Sequence, residues 1–383
     1  MTPTQPSPTR GEGDDCACAR WRQGIKWAAM NLDDLNAFRQ IDTEDMLGHI
    51  AGLPQQCRDA WDQAQNTDLP LRPSAIRHIV IAGMGGSAIG GALLQALAAP
   101  ECPIPISVVR DYDLPAFARG AETLVIGSSY SGDTEETLSA FQQAHERGCQ
   151  LLALTRGGRL AELAHDYGAP VLPIPYRSQP RAAVGYAFLS LVAVVCRLGL
   201  LRDQADDLDE AISVMKARQA EIHADVPVVR NPAKRLAGQL VQRIPVIYGG
   251  GYMAPVARRW KGQFNENAKA WSHFEVMPEL NHNAICGIGF PEELMTRVAV
   301  IQLTSALDHP RIQQRHTITR EILMQQGIAV DVIKGRGESP LAQMLSVLHF
   351  GDYTSYYLAM CYGVDPTPVP PIARLKERLA QLA

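Results

Sequence analysis

No block of lysine and arginine stands anywhere in this chain. Its 36 basic residues are outnumbered by 40 acidic ones, for a net charge of -4. That balance excludes recognition of nucleic acid by bulk charge, so an anionic ligand has to be drawn by a local site. The eight cysteines are scattered and form no C-x-x-C pair. Cys16 and Cys18 have no third or fourth metal-ligand partner at a useful spacing, and the set reads as free thiols of a reducing, cytoplasmic compartment. An apolar secretory segment is missing from the N-terminus. The longest apolar run, Val184–Leu201, is broken by Gly185, Tyr186, Ser190 and Arg197. It fits a buried helix better than a membrane span, so no membrane partner is expected. Met1–Asp15 has almost no large apolar residue, and residues 1–30 read as a disordered extension. Met30, followed by Asn31-Leu32-Asp33-Asp34, is a candidate natural start.

What is present is an ordinary globular composition, 46% hydrophobic and 20% charged, in a length that suits two domains. After helical stretches at Leu32–Ile50 and Gln55–Gln65, short apolar strands alternate with helices. The expected strands are His78–Gly83, Ile106–Arg110, Thr123–Ser129, Gln150–Thr155 and Pro170–Pro175. Ser87–Ala98, Thr134–Arg147 and Arg159–Tyr167 are the helices between them. Two long helices, Arg181–Leu200 and Asp203–Asp225, connect to a second series. Its strands are Pro245–Gly249, His273–Met277, Arg297–Thr304 and Ala329–Lys334. Its helices are Met253–Ala270, Pro310–Gln326, Leu341–Cys361 and Pro371–Leu382. This alternation predicts an α/β chain of two doubly wound domains, each a parallel sheet flanked by helices, over residues 31–225 and 226–383.

Two loops have the strand–turn–helix form that turns free backbone amides toward an anion. They are Gly83–Gly91 and Ser128–Thr137. Gly83-x-Gly85-x-x-Ala88 also satisfies a dinucleotide fingerprint, with Asp111 or Asp113 as the acid for a ribose. The second loop favours a small phosphate monoester instead. Ser129, Ser131 and Thr134 crowd hydroxyls at a helix start, where a cap alone needs one. The expected phosphate ligands are Gly85, Gly86, Ser87, Ser129, Ser131 and Thr134. Glu135 and Glu136 must then point away.

Gly85-Gly86-Ser87 with Ser129-Tyr130-Ser131-Gly132-x-Thr134-x-Glu136-Thr137 resembles the sugar isomerase (SIS) domain signature. Three further runs are similar to the bifunctional phosphoglucose/phosphomannose isomerase family. They are Asn265-Glu266-Asn267-Ala268-Lys269, Pro278-Glu279-Leu280-Asn281-His282-Asn283, and the ending from His349-Phe350-Gly351-Asp352-Tyr353 through Asp365-Pro366-Thr367-Pro368-Val369 to Leu375-Lys376. The likeness extends from about Leu32 to the C-terminus. It implies SIS-type domains with a C-terminal helix returning to the cleft. It also implies a homodimer whose active sites are shared between subunits, and interconversion of fructose 6-phosphate with glucose and mannose 6-phosphates through an enediolate. No metal and no cofactor are expected.

Such a reaction needs a carboxylate base, a cation for the oxyanion and an acid/base pair for the sugar ring. Glu266 is the expected base. Lys269, three residues on, would be a simple helix salt bridge. Arg181 opposes the dipole of the apolar helix it heads, which suits a guanidinium facing an enediolate; Arg177 competes for the role. His282, between two amides in a Pro/Asn-rich loop, suits proton transfer to the ring oxygen, and the resemblance has it reach across a subunit boundary. The resemblance alone promotes Lys376 to a role in ring opening. Thr367 and Val369 are the candidates for a C-terminal threonine linked to epimer tolerance, and Asp133 stands where many relatives carry Asn. A non-catalytic phosphosugar-binding SIS protein and an NAD(P)-dependent oxidoreductase are the alternatives.

Overall fold

The computed structural model describes residues 31–382, so the expected extension over residues 1–30, with Cys16, Cys18 and Met30, lies outside the described residues. Three helices lead in: α1 (Leu35–Ile41), α2 (Met46–Ala51) and α3 (Leu53–Asn66). The single helix expected over Leu32–Ile50 is divided because Asp42 turns its carboxylate onto the amides of Met46 and Leu47, at 2.8 and 2.9 Å. An acidic side chain that bonds the following backbone competes with helix continuation.

The first sheet holds β1 (His78–Gly83), β2 (Ile106–Val109), β3 (Thr123–Ser129), β4 (Gln150–Thr155) and β5 (Val171–Pro173). Their order is β2-β1-β3-β4-β5, and every pairing is parallel. β3 is buried at each position, as a strand covered on both faces must be. The helices between are α4 (Gly85–Ala98), α5 (Glu135–Glu146) and α6 (Gly158–Asp166). Then come α7 (Val184–Arg197), α8 (Ala205–Ile222) and α9 (Pro232–Leu240). Asn231 caps α9 by accepting from the amides of Ala233 and Lys234, with Pro232 in the first turn. Sequence reasoning passed over this helix, although Asn-Pro is a start signal.

The second sheet joins β6 (Ile244–Gly250), β7 (His273–Met277), β8 (Val298–Thr304) and β9 (Ala329–Lys334) in the parallel order β7-β6-β8-β9. Its helices are α10 (Met253–Glu266), the short α11 (Glu292–Met295), α12 (Pro310–Gln325), α13 (Pro340–Tyr362) and α14 (Pro370–Ala380). In each sheet the strand order reverses beside the first strand, β1 or β6, which opens a crevice at the carboxyl ends of the strands.

One apolar core runs through both halves. It takes Ile79 and Leu124 from the first sheet, most of α7, Ile247 and Trp260 from the second half, and the length of α13. α13 packs on α8, α9 and α10, so the connecting helices serve both sheets. α4 meets α10 directly, which sets the first anion-cradle loop against the helix that ends in Glu266. The segment Pro180–Arg197 is long and apolar enough to cross a membrane, and 83% of it is buried inside the fold. It serves as the core helix expected from its interruptions.

Candidate active site

Gly85 and Gly86 open α4 at the end of β1, where first-turn amides have no partner within the helix. The two loops lie side by side because β1 and β3 are paired, with Gly83 opposite Ser128. The buried Ser87 hydroxyl accepts from the Tyr130 amide at 3.1 Å and ties one loop to the other. In the second loop the Ser129 and Thr134 hydroxyls bond each other at 2.9 Å, and Ser129 accepts from the Gly132 amide. Thr134 stands at the N-cap of α5 without making a side-chain cap. The exposed Ser131 accepts from the Asp133 amide. The hydroxyl cluster therefore holds its own loop in shape. Glu135 is exposed and accepts from the Tyr112 hydroxyl at 3.2 Å.

Gly86 leaves space for another segment of chain. A Cβ there would lie 2.8 Å from the Pro180 carbonyl oxygen and 3.0 Å from the Arg181 amide nitrogen. The glycine thus allows the turn before α7 to sit on the first loop, and that turn carries Arg181. At 2% exposure Arg181 is fixed on four sides. Nε donates to Asn267 Oδ1 at 2.7 Å, and Nη2 donates to the carbonyls of Pro366 and Thr367, each at 2.7 Å. Nη1 reaches the Glu266 carboxylate at 3.4 Å. Burial lowers the Arg181 pKa, and the Glu266 charge opposes that shift. The competing Arg177 has no part in this network.

Glu266 is the last residue of α10, and its side chain keeps 31% exposure, so a ligand can reach it. The helix stops there, short of the expected Ala270, because Lys269 adopts a left-handed backbone with φ of 55°. Lys269 makes no helix salt bridge. Its Nζ donates to the Glu266 carbonyl and, at 3.0 Å, to the Pro366 carbonyl. It thereby satisfies an orphan acceptor at a helix C-terminus. Burial first, then Arg181, pushes its pKa down to about 8.

Arg181 and Glu266 face a cleft of about 260 Å³ whose wall also holds Gly85 and Gly86. Arg110, Arg258 and Lys261 add cations that sequence reasoning missed, since each reads alone as one more surface charge. Burial, then Arg258, lowers the Arg110 pKa. A second layer was missed as well. Arg259 donates to Asp352 at 2.7 Å and to the Arg181 carbonyl at 3.0 Å, and Gln263 donates to the other Asp352 oxygen at 2.9 Å. Burial raises the Asp352 pKa, and Arg259 opposes it. The run His349–Tyr353 hinted at this through Asp352.

Of the two C-terminal candidates, Thr367 is the one against Arg181. It is buried, and its hydroxyl has no hydrogen-bond partner among the described residues. The C-terminal segment meets the cleft through Arg181, whose Nη2 the carbonyls of Pro366 and Thr367 hold. α14 lies exposed along its length, and Lys376 on it does not line the cleft. The apolar stripe Ile372, Leu375 and Leu379 stays 44%, 59% and 43% exposed. His282 is exposed at the end of a 3-10 turn, Glu279–His282, and is likewise absent from the cleft wall. One chain thus brings together Gly85, Gly86, Arg181 and Glu266, with Ser87, Ser129, Ser131 and Thr134 in the adjoining loops. The dinucleotide reading gains nothing: Asp111 accepts from the Tyr112 amide and Asp113 from Gln143, and neither lines the cleft.

Two parallel sheets with an anion-cradle crevice are the architecture of SIS phosphosugar proteins. The family model for the bacterial phospho-glucose isomerase C-terminal SIS domain matches residues 229–379. The fold is similar to that of a glucose-6-phosphate isomerase like protein from Thermus thermophilus, with a TM-score of 0.58 at 20% identity, covering 88% of this chain and 98% of that one. The chain is 41% identical over 338 residues to the bifunctional phosphoglucose/phosphomannose isomerase of Caldicellulosiruptor bescii, covering 88% of this chain and 99% of the relative. It is 35% identical over 324 residues to the Aquifex aeolicus protein of the same name, covering 84% and 97%. This chain belongs to the bifunctional phosphoglucose/phosphomannose isomerase family.

Proposed function

We propose that the protein is an aldose–ketose isomerase that interconverts fructose 6-phosphate with glucose 6-phosphate and mannose 6-phosphate. One observation carries the reading: a buried, four-way-anchored guanidinium lies 3.4 Å from a reachable carboxylate, in a cleft walled by the Gly85–Gly86 turn. The phosphate sits on the Gly85–Ser87 and Ser129–Thr134 loops. Glu266 takes the proton from C1 of the open-chain ketose, and the C2 oxygen gains the negative charge of the enediolate. Arg181, already desolvated and oriented, stabilises that charge without reorganising. Glu266 returns the proton to C2, the hydroxyl proton passes from O1 to O2, and the aldose forms. The face of C2 that receives the proton decides between glucose and mannose configurations. Thr367, whose backbone carbonyl accepts from Arg181, is the residue of the C-terminal segment to which we assign a part in that choice.

Ring opening needs an acid/base pair that one chain does not bring to the cleft. We assign it to His282 and Lys376, supplied in a homodimer with shared sites. The exposed stripe of α14 supports a second copy as its cover. No metal enters the scheme. The test is turnover of fructose 6-phosphate coupled to glucose-6-phosphate dehydrogenase, with EDTA present, and the same assay started from mannose 6-phosphate. Glu266→Gln is expected to lower kcat by about 10³-fold, the scale of a lost general base. An inactive wild type would sink the isomerase reading; an undiminished Glu266→Gln would sink only the base. Coexpression of Glu266→Gln with His282→Ala chains should restore activity if sites are shared, because one mixed site is then complete. No recovery in isolated mixed dimers would end that assignment.

A further inference from the structure

A second cavity, of about 390 Å³, opens at the carboxyl ends of β8 and β9, against α12. It shares no wall residue with the catalytic cleft. Its wall includes His316, only 4% exposed, and neither ring nitrogen of His316 has a hydrogen-bond partner among the described residues. Burial pushes the pKa of this imidazole down to about 4. The neutral ring therefore presents one donor and one acceptor, both unmet. Buried polar atoms of that kind are costly and are normally satisfied. The hydrogen bond that ties His316 to β8 is made by its backbone carbonyl, which accepts from Gln302 at 3.1 Å, and leaves the ring nitrogens unused.

The rest of the wall points the same way. Thr304 and Thr317 contribute hydroxyls. Arg320, from α12, and Lys334, from the end of β9, contribute cations with no ion pair among the described residues. Among the described residues no Asp or Glu lines the cavity. Cations carried on two different elements suit a tetrahedral dianion, which offers oxygens in several directions, better than one planar carboxylate. A neutral imidazole between threonine hydroxyls suits the hydroxyl groups of a polyol, and the volume falls in the range of small-molecule sites.

We propose that this cavity is a second, non-catalytic binding site for a small phosphorylated polyol. With no carboxylate base in its wall, it holds its ligand without turning it over. The position matches the place that the hydroxyl loop occupies in the first half, since β8 stands beside β6 as β3 stands beside β1. The second sheet would then keep a phosphate-type crevice for binding alone.

The test is equilibrium dialysis of the full chain against radiolabelled sn-glycerol 3-phosphate. Saturable binding is expected that the accessible double variant Arg320→Ala/Lys334→Ala weakens at least roughly tenfold, since each lost charge-assisted bond is worth about that much. Ser129→Ala, which alters the catalytic cradle, should leave this component in place. His316→Phe should abolish it, with circular dichroism checking the fold. Binding that is equal in wild type and the double variant overturns the proposal, and so does the absence of saturable binding.

Discussion

In the proposed mechanism the chemistry turns on Arg181, and its side chain is defined by what accepts from it. Asn267, Pro366, Thr367 and Glu266 are reached from one planar fork. A lysine keeps the charge and loses the fork, so the exchange is not conservative here. Arg181→Lys is expected to lower kcat by about 10²-fold or more, the scale of one lost oxyanion donor. It should also cost about 1–3 kcal/mol in urea denaturation, because buried carbonyls are left unsatisfied. Unchanged stability with lost activity would mean that the network is rebuilt around the ammonium. At this scale the chain was partly legible. Glu266 and Arg181 stood out because the family resemblance marks their runs and their residue types suit the reaction it implies. Arg259 and Asp352 did not, because a buried pair separated by 93 positions leaves no local pattern.

Among the elements, the contact of α4 with the Pro180–Arg181 turn does most to shape the cleft. It depends on a missing side chain at Gly86. Gly86→Ala puts a methyl group 2.8 Å from the Pro180 carbonyl oxygen, and backbone cannot swing aside as a flexible side chain does. The variant is expected to lose about 1–3 kcal/mol by overpacking. Steady-state kinetics should show a raised KM for fructose 6-phosphate together with a lowered kcat, since phosphate loop and guanidinium shift together. Gly238, exposed on α9 with nothing within 4 Å of its would-be Cβ, is the control. Gly238→Ala should gain about 0.5–1 kcal/mol from helix propensity alone. A Gly86→Ala enzyme with wild-type KM and kcat would show that the turn moves freely on the loop.

Over the whole molecule, α13 joins the halves and carries a buried histidine. His349 bonds the Ile50 carbonyl at 2.8 Å, and burial pushes its pKa down to about 4. His316 is pushed to the same value by the same cause. Well above pH 6.5 both are neutral whether the chain is folded or not, and their contribution to stability no longer changes with pH. As pH falls from 6.5 toward 4 the unfolded chain takes up protons first, so stability drops through that window. The loss is on the order of 2 kcal/mol per histidine at pH 5. His349→Gln keeps a donor for Ile50 and removes the titration. Its melting temperature should therefore fall less than that of wild type between pH 7 and pH 5. Equal falls would place the acid sensitivity in other groups.

Local runs of residues were enough for the βα grammar. The bounds of β1, β3, β4, β7 and β9 follow from stretches of apolar residues, and those of α12 and α13 from period and proline placement, all of which are local. The two anion-cradle loops were legible for the same reason: strand end, glycine or hydroxyl cluster and helix start are consecutive. Where the cradle stands relative to Glu266 was settled by packing in three dimensions. Arg181 and Glu266 are 85 positions apart, and they meet because α4 packs on α10 and Gly86 admits the turn before α7. Packing also settled that Lys269 caps a helix end, that Pro366 and Thr367 rather than α14 hold Arg181, and that His316 lies unpaired among the described residues beside a cavity. Which helix covers which face is set by burial summed over the whole chain, and no short window of residues contains that sum.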